Sequence, residues 1–110
     1  MAISIAKASV FVTELLDVLE DLYWESPNIT VKNQCFNVVR LLQQELTELT
    51  KMSVQDHHYD YEIIACSISV MSQCLEELSQ LLEGEALRTR TRNNLMPLLD
   101  KSKTVFFLKS

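Results

Sequence analysis

From Ile5 onward, apolar residues recur at alternating spacings of three and four: Ile5, Ala8, Val12, Leu15, Leu19 and Leu22. That spacing keeps one face of an α-helix apolar, so it predicts a first helix from about Ile3 to Glu25. Phe11, Leu16, Val18 and Tyr23 flank the seam on both sides. The stripe is therefore wider than a two-stranded coiled coil requires, and suits a helix packed against at least two others. Ser26 and Pro27 close it. The same pair is expected to open a second helix, with Ser26 as N-cap and Pro27 at the first helical position, where a missing N–H costs nothing.

The second helix, from about Pro27 to Met52, places Cys35, Val39, Leu42, Leu46 and Leu49 on its seam, with Phe36 and Val38 beside it. Asn37, Arg40, Gln44, Thr47, Glu48 and Lys51 form the opposite, solvated face. The polar and aromatic stretch from Ser53 to Tyr61 reads as a turn, with Ser53 or Asp56 as cap of a third helix. That helix carries Ile64, Ser67, Met71, Cys74, Leu78 and Leu81, widened by Ile63, Ile68, Val70, Leu75 and Leu82. It is expected to stop at Gly84, the chain's one glycine, in the left-handed conformation that side chains with a Cβ resist. In the tail from Glu85 to Ser110, Leu87, Leu95, Leu98 and Leu99 mark a shorter helix interrupted or kinked near Pro97, followed by the apolar run Val105-Phe106-Phe107-Leu108.

The expected fold is all-α: an antiparallel bundle of three long helices plus a shorter fourth helix or tail. Residues 1–84 would form a three-helix core, and residues 85–110 would dock on that core or on a partner. Two helices of equal length joined by a short turn also resemble one unit of a HEAT-like helical array, without any repeat consensus.

Composition narrows the picture. One glycine and two prolines in 110 residues leave few positions for hairpin turns, and 47% apolar content suffices for one core. Ten Lys and Arg stand against fifteen Asp and Glu, a formal charge of −5, which disfavours a surface built to neutralise phosphates and favours a basic partner. The first residues fit neither a secretory signal nor an Arg-rich transit peptide, and no apolar run approaches the roughly 18 residues of a membrane span. Cys35, Cys66 and Cys74 lack CxxC spacing and read as reduced thiols within helical patterns. A cytoplasmic or nuclear location is expected. Asn28-Ile29-Thr30 matches a glycosylation triplet but has no accompanying signal segment.

The densest reactive cluster is Asp56-His57-His58-Tyr59-Asp60-Tyr61-Glu62. Adjacent histidines on a helix point about 100° apart, and His58 with Glu62 is one pair at metal-ligand spacing, so a turn or cap role is expected, with no metal and no cofactor. A catalytic triad needs loops on a rigid scaffold to gather its members, and this chain offers few, so no catalytic residue is assigned. Arg88, Arg90 and Arg92 are the local departure from the acidic balance. They read as a solvated turn or as partners of Glu83 and Glu85, with a dimeric nucleic-acid-binding regulator as the alternative. Leu78-Ser79-Gln80-Leu81-Leu82 and Leu95-Met96-Pro97-Leu98-Leu99 match the LxxLL pattern of groove-docking helices, the second being the better docking candidate.

The stripes are wider than three helices require, and further apolar residues lie off them at Val10, Trp24, Leu41 and Cys66. A monomer tolerates an exposed apolar patch of roughly 300 to 600 Å², so something is expected to cover the excess. The function expected is a non-catalytic protein–protein interaction module, an adaptor or scaffold domain, forming a homodimer or hetero-oligomer by helix packing. Its contact residues would be Val10, Trp24, Leu41 and Cys66 with Leu95, Leu98, Leu99, Phe106 and Phe107 of the tail. No membrane partner is expected.

Overall fold

The computed structural model describes residues 3–52, 54–56, 58–85 and 87–107, with Val54 and Phe107 described by backbone alone. Four helices, α1 (Ile5–Glu25), α2 (Ile29–Thr50), α3 (Ile68–Leu82) and α4 (Thr89–Ser102), pack against one another, and no strand occurs among the described residues. A 3₁₀ turn at Val54–Asp56 and a π-helical turn at Lys103–Phe107 complete the regular structure. α1 lies against α2 and α4, while α3 lies against α2 and the π turn. No helix among the described residues is long and apolar enough to cross a membrane.

All six seam residues of α1 are buried, together with Phe11. Ser4 caps the helix, its Oγ accepting the Lys7 N–H at 3.3 Å. The junction with α2 differs from expectation. Asn28, rather than Ser26, is the N-cap: its Oδ1 accepts from the Thr30 N–H at 2.9 Å. Ser26 ends α1 instead, its N–H donating to the Leu22 carbonyl and its buried Oγ accepting from the Asn28 N–H, and Pro27 lies outside both helices.

α2 buries Val31, Cys35, Val38, Leu42, Glu45 and Leu49, leaving the expected seam residues Val39 and Leu46 half-buried. The register rests on Glu45, a charged residue that is 0% exposed. Its carboxylate accepts the Tyr61 hydroxyl at 2.5 Å, the Ile64 N–H at 3.0 Å and the Ala65 N–H at 2.7 Å. A buried carboxylate is tolerated when donors of this kind replace water.

The same bonds shorten the third helix. Residues 59–67 run as an irregular strap, tied at its start by the Ile5 N–H to the Tyr59 carbonyl (2.9 Å) and the Tyr61 N–H to the Ile3 carbonyl (2.7 Å). Ile64 is consequently exposed and outside α3, and the helix begins after Ser67, whose Oγ accepts from the Val70 N–H. Ser67 is therefore a cap and not a seam residue. Asp56 lies in the 3₁₀ turn, and Ser53 lies outside the described residues. Met71, Leu75, Leu78 and Leu82 form the buried face, with Cys74 and Leu81 at its margin. α3 is 15 residues and α4 14, against 21 and 22 for α1 and α2, so two long and two shorter helices replace the expected three and one.

Gly84 follows α3 without a positive φ, and a Cβ there would meet nothing within 4 Å. Right-handed turns through Glu83 and Gly84 carry the chain onward, and the left-handed cap expected of this glycine is not formed. Pro97 neither interrupts nor ends α4. It is exposed, as is Asn93 one turn earlier, so water can serve the carbonyl that the missing N–H leaves free.

Leu95, Leu99, Val105 and Phe106 enter the same buried cluster as the other helices. The Phe106 ring meets Phe11 edge-on at 5.8 Å between centroids and Tyr61 at 6.2 Å. Much of the cover that the wide stripes demand thus comes from the chain's own tail.

Candidate interaction surface

The helical period that buries the α1 seam also fixes what stands opposite. Steps of 100° per residue bring Val10, Asp17 and Trp24 almost into line on the outer side, with Glu14 and Asp21 along one flank and Glu20 along the other. All are exposed, Val10 by 59% and Trp24 by 72%. The four carboxylates have no hydrogen-bond or ion-pair partner among the described residues; the one ion pair there joins Lys51 to Glu48 on α2.

Trp24 is held without being covered. Its indole meets the Tyr23 ring edge-on at 5.2 Å and 90°, and the Lys32 ammonium stands 5.0 Å from the Tyr23 centroid and 5.8 Å from that of Trp24. Such contacts orient an aromatic side chain while leaving its outer face free. Ile29 and Phe36 continue exposed apolar surface along the outer face of α2.

Below Trp24, a cleft of about 400 Å³ opens between the end of α1 and the start of α4, lined by Asp21, Trp24, Arg88, Arg90 and Asn94 beside Glu25 and Thr91. The first turn of α4 has no acidic residue, and Arg88 and Arg90 bring positive charge to the positive end of the helix dipole. Glu25 offsets this from a distance in sequence. Its carboxylate accepts the Arg88 N–H at 2.8 Å and the Thr91 hydroxyl at 2.5 Å. These two bonds, the hydroxyl first, hold the Glu25 carboxyl below the usual range. Arg92 turns away and donates to the Glu85 carbonyl. In place of the expected solvated turn, the three arginines stand at the start of α4: Arg90 and Arg92 are helical, and Arg88 is the cap residue.

The expected contact residues divide. Val10 and Trp24 are exposed; Leu41, Cys66 and Leu98 are half-buried against the core. Leu95, Leu99 and Phe106 are core residues of the chain itself, which corrects their assignment to a partner, and the Phe107 side chain lies outside the described residues. Both LxxLL stretches likewise turn their leucines inward. His57 lies outside the described residues, and His58 is exposed, its ring tilted 35° to that of Tyr59 with centroids 4.3 Å apart. No group of three His, Cys, Asp or Glu among the described residues is placed to hold a metal ion. Sequence reasoning gave no role to Glu25, Thr91, Lys32 or Glu45, and gave Tyr61 only a place in a turn or cap. Their roles depend on partners 8 to 66 residues away, and no local pattern signals them.

No family model matches the chain, and neither a curated protein nor a solved structure matches it.

Proposed function

We propose that this chain is a non-catalytic protein–protein interaction module, an adaptor or scaffold domain, that binds another protein by helix packing on the outer face of α1. The observation that carries this reading is Trp24, 72% exposed yet oriented by Tyr23 and Lys32. Tryptophan and tyrosine are enriched among the residues that dominate binding energy at interfaces, and an aromatic pair pre-set in one geometry loses little freedom when covered. A non-catalytic role is supported by how the best-organised polar groups are used: Glu45 and Glu25 spend their acceptors on backbone and side-chain donors that hold the fold.

In this reading the helices run antiparallel in chain order, since three residues join α1 to α2 and the two pack together. The module operates in the cytoplasm or nucleus, where its three free thiols stay reduced. A nucleic acid on Arg88 and Arg90 is the weaker reading, because Asp21 and Glu25 share their cleft and repel phosphate.

A photo-crosslinking amino acid at exposed position 13 on the outer side of α1, which leaves Trp24 in place, with a control at exposed position 73 on α3, tests the proposal in the native cell. A discrete protein adduct from position 13 and none from position 73 is expected. Loss of the reading follows if position 13 yields no discrete adduct.

A further inference from the structure

We infer that the segment received by α1 is a cationic amphipathic helix of about four turns, laid along the line from Val10 to Trp24. This rests on the reading of the chain as an interaction module and names the chemistry of its partner. Val10, Asp17 and Trp24 are spaced by seven, so they drift only about 20° per step and span about 21 Å. That is the length of a helix of about fourteen residues. The exposed apolar groups stand at the two ends of the line, and Glu14, Asp17, Glu20 and Asp21 fill the middle with charge that forms no ion pair among the described residues.

Cations of the chain itself stand at the two margins of this stretch without pairing with its carboxylates. Lys7 and Lys101 share a shallow cleft with Val10 and Glu14, while Arg88 and Arg90 face Asp21 across the cleft below Trp24. Lys32 is engaged by the rings of Tyr23 and Trp24. A partner helix with apolar residues at either end and Lys or Arg between them meets all of these requirements. An extended segment does not, because a helix face presents no unpaired backbone row to which a strand can bond.

A second copy fits poorly. On a two-fold axis through the middle of this face each residue near the axis meets its own image, so Asp17 would face Asp17 with Glu14, Glu20 and Asp21 of both chains around the contact. Like charges at that separation oppose association.

The chain's one tryptophan reports directly on the site. The full chain is titrated with two synthetic amphipathic helical peptides, one of Leu and Lys and one of Leu and Glu, while the Trp24 emission is followed. The Leu/Lys peptide is expected to shift the emission to shorter wavelength and saturate, and to weaken as salt rises; the Leu/Glu peptide is expected to do neither. The double charge reversal D17K/E20K should lower the Leu/Lys affinity about tenfold or more, whereas E76K/E77K, an equal change of net charge on the exposed face of α3, should alter it less than about twofold. Equal losses in the two variants, binding of the Leu/Glu peptide, or binding without an emission shift would each overturn the inference. So would a stable dimer of the free chain in sedimentation whose Trp24 emission is already shifted, since a second copy would then be the occupant. A discrete adduct from position 13 in cells, combined with failure of the Leu/Lys peptide, overturns the cationic partner and leaves the module reading standing. Absence of that adduct removes the module reading itself.

Discussion

The Glu45 carboxylate accepts the Tyr61 hydroxyl at 2.5 Å in the interior of the bundle, across 16 residues of sequence, and the same carboxylate accepts the N–H groups of Ile64 and Ala65. Burial first, and then the bond to Glu45 and its charge, push the Tyr61 phenol up, so it remains the donor of this pair. One side chain thus fixes where the strap ends and α3 can begin.

Replacing Glu45 with Ala leaves three donors without their acceptor, and a buried unsatisfied polar group costs about 1 to 3 kcal/mol. E45A is expected to destabilise the fold by about 3 kcal/mol or more, and Y61F by about 1 to 2 kcal/mol. Urea denaturation of both single variants and the double variant measures their coupling. Losses that simply add would deny the interaction a part in stability.

Glu25 caps α4 from the end of α1, and E25A should cost about 1 to 2 kcal/mol at neutral pH, as loss of an N-cap does. Because its carboxyl is held below the ordinary range in the folded state, the unfolded chain binds the proton more readily between the two values. The contribution is therefore complete above the ordinary carboxylate range and is lost as pH falls through the depressed value. The gap in stability between the native chain and E25A should close in acid. A gap that stays constant from neutral pH down to about pH 3 would refute the charged cap.

Burial pushes the Cys35 thiol up to about 12, and its Sγ lies 3.2 Å from the Leu19 carbonyl in the core. Cys66 and Cys74 are half-buried, and burial raises them as well. Iodoacetamide near pH 8 should modify Cys66 and Cys74 first and reach Cys35 only when the fold opens. Mass mapping of a time course decides this, and early labelling of Cys35 would show that α1 and α2 separate readily.

Phe106 closes the core from the tail, against Phe11 and Tyr61. F106A should lower stability by about 3 to 5 kcal/mol through the cavity it leaves. A cost under about 1 kcal/mol in thermal or chemical unfolding would mean that the tail contributes little to the packed core.

How much could be read in advance differs from element to element. The seam of α1 was fully legible, since Ile5, Ala8, Val12, Leu15, Leu19 and Leu22 need only the helical period to be placed together. The end of α3 was legible to within two residues, but not its conformation, because Gly84 permits a left-handed turn without requiring one. The outward position of Val10 and Trp24 followed from the same period that buries their neighbours.

What the sequence by itself determined is the helical class, the inner face of α1 and the acidic, Trp-bearing face opposite it, all consequences of spacing along one chain segment. Tertiary structure alone decided that Glu45 is buried, that residues 63–67 leave the helix their apolar pattern suggests, that Glu25 caps α4, and that Leu95, Leu99 and Phe106 serve the core instead of a partner. Each of these turns on a donor, acceptor or ring supplied by a distant segment. A local pattern can state a preference, but the free energy of a buried polar group or a filled cavity is set by what the rest of the chain places beside it.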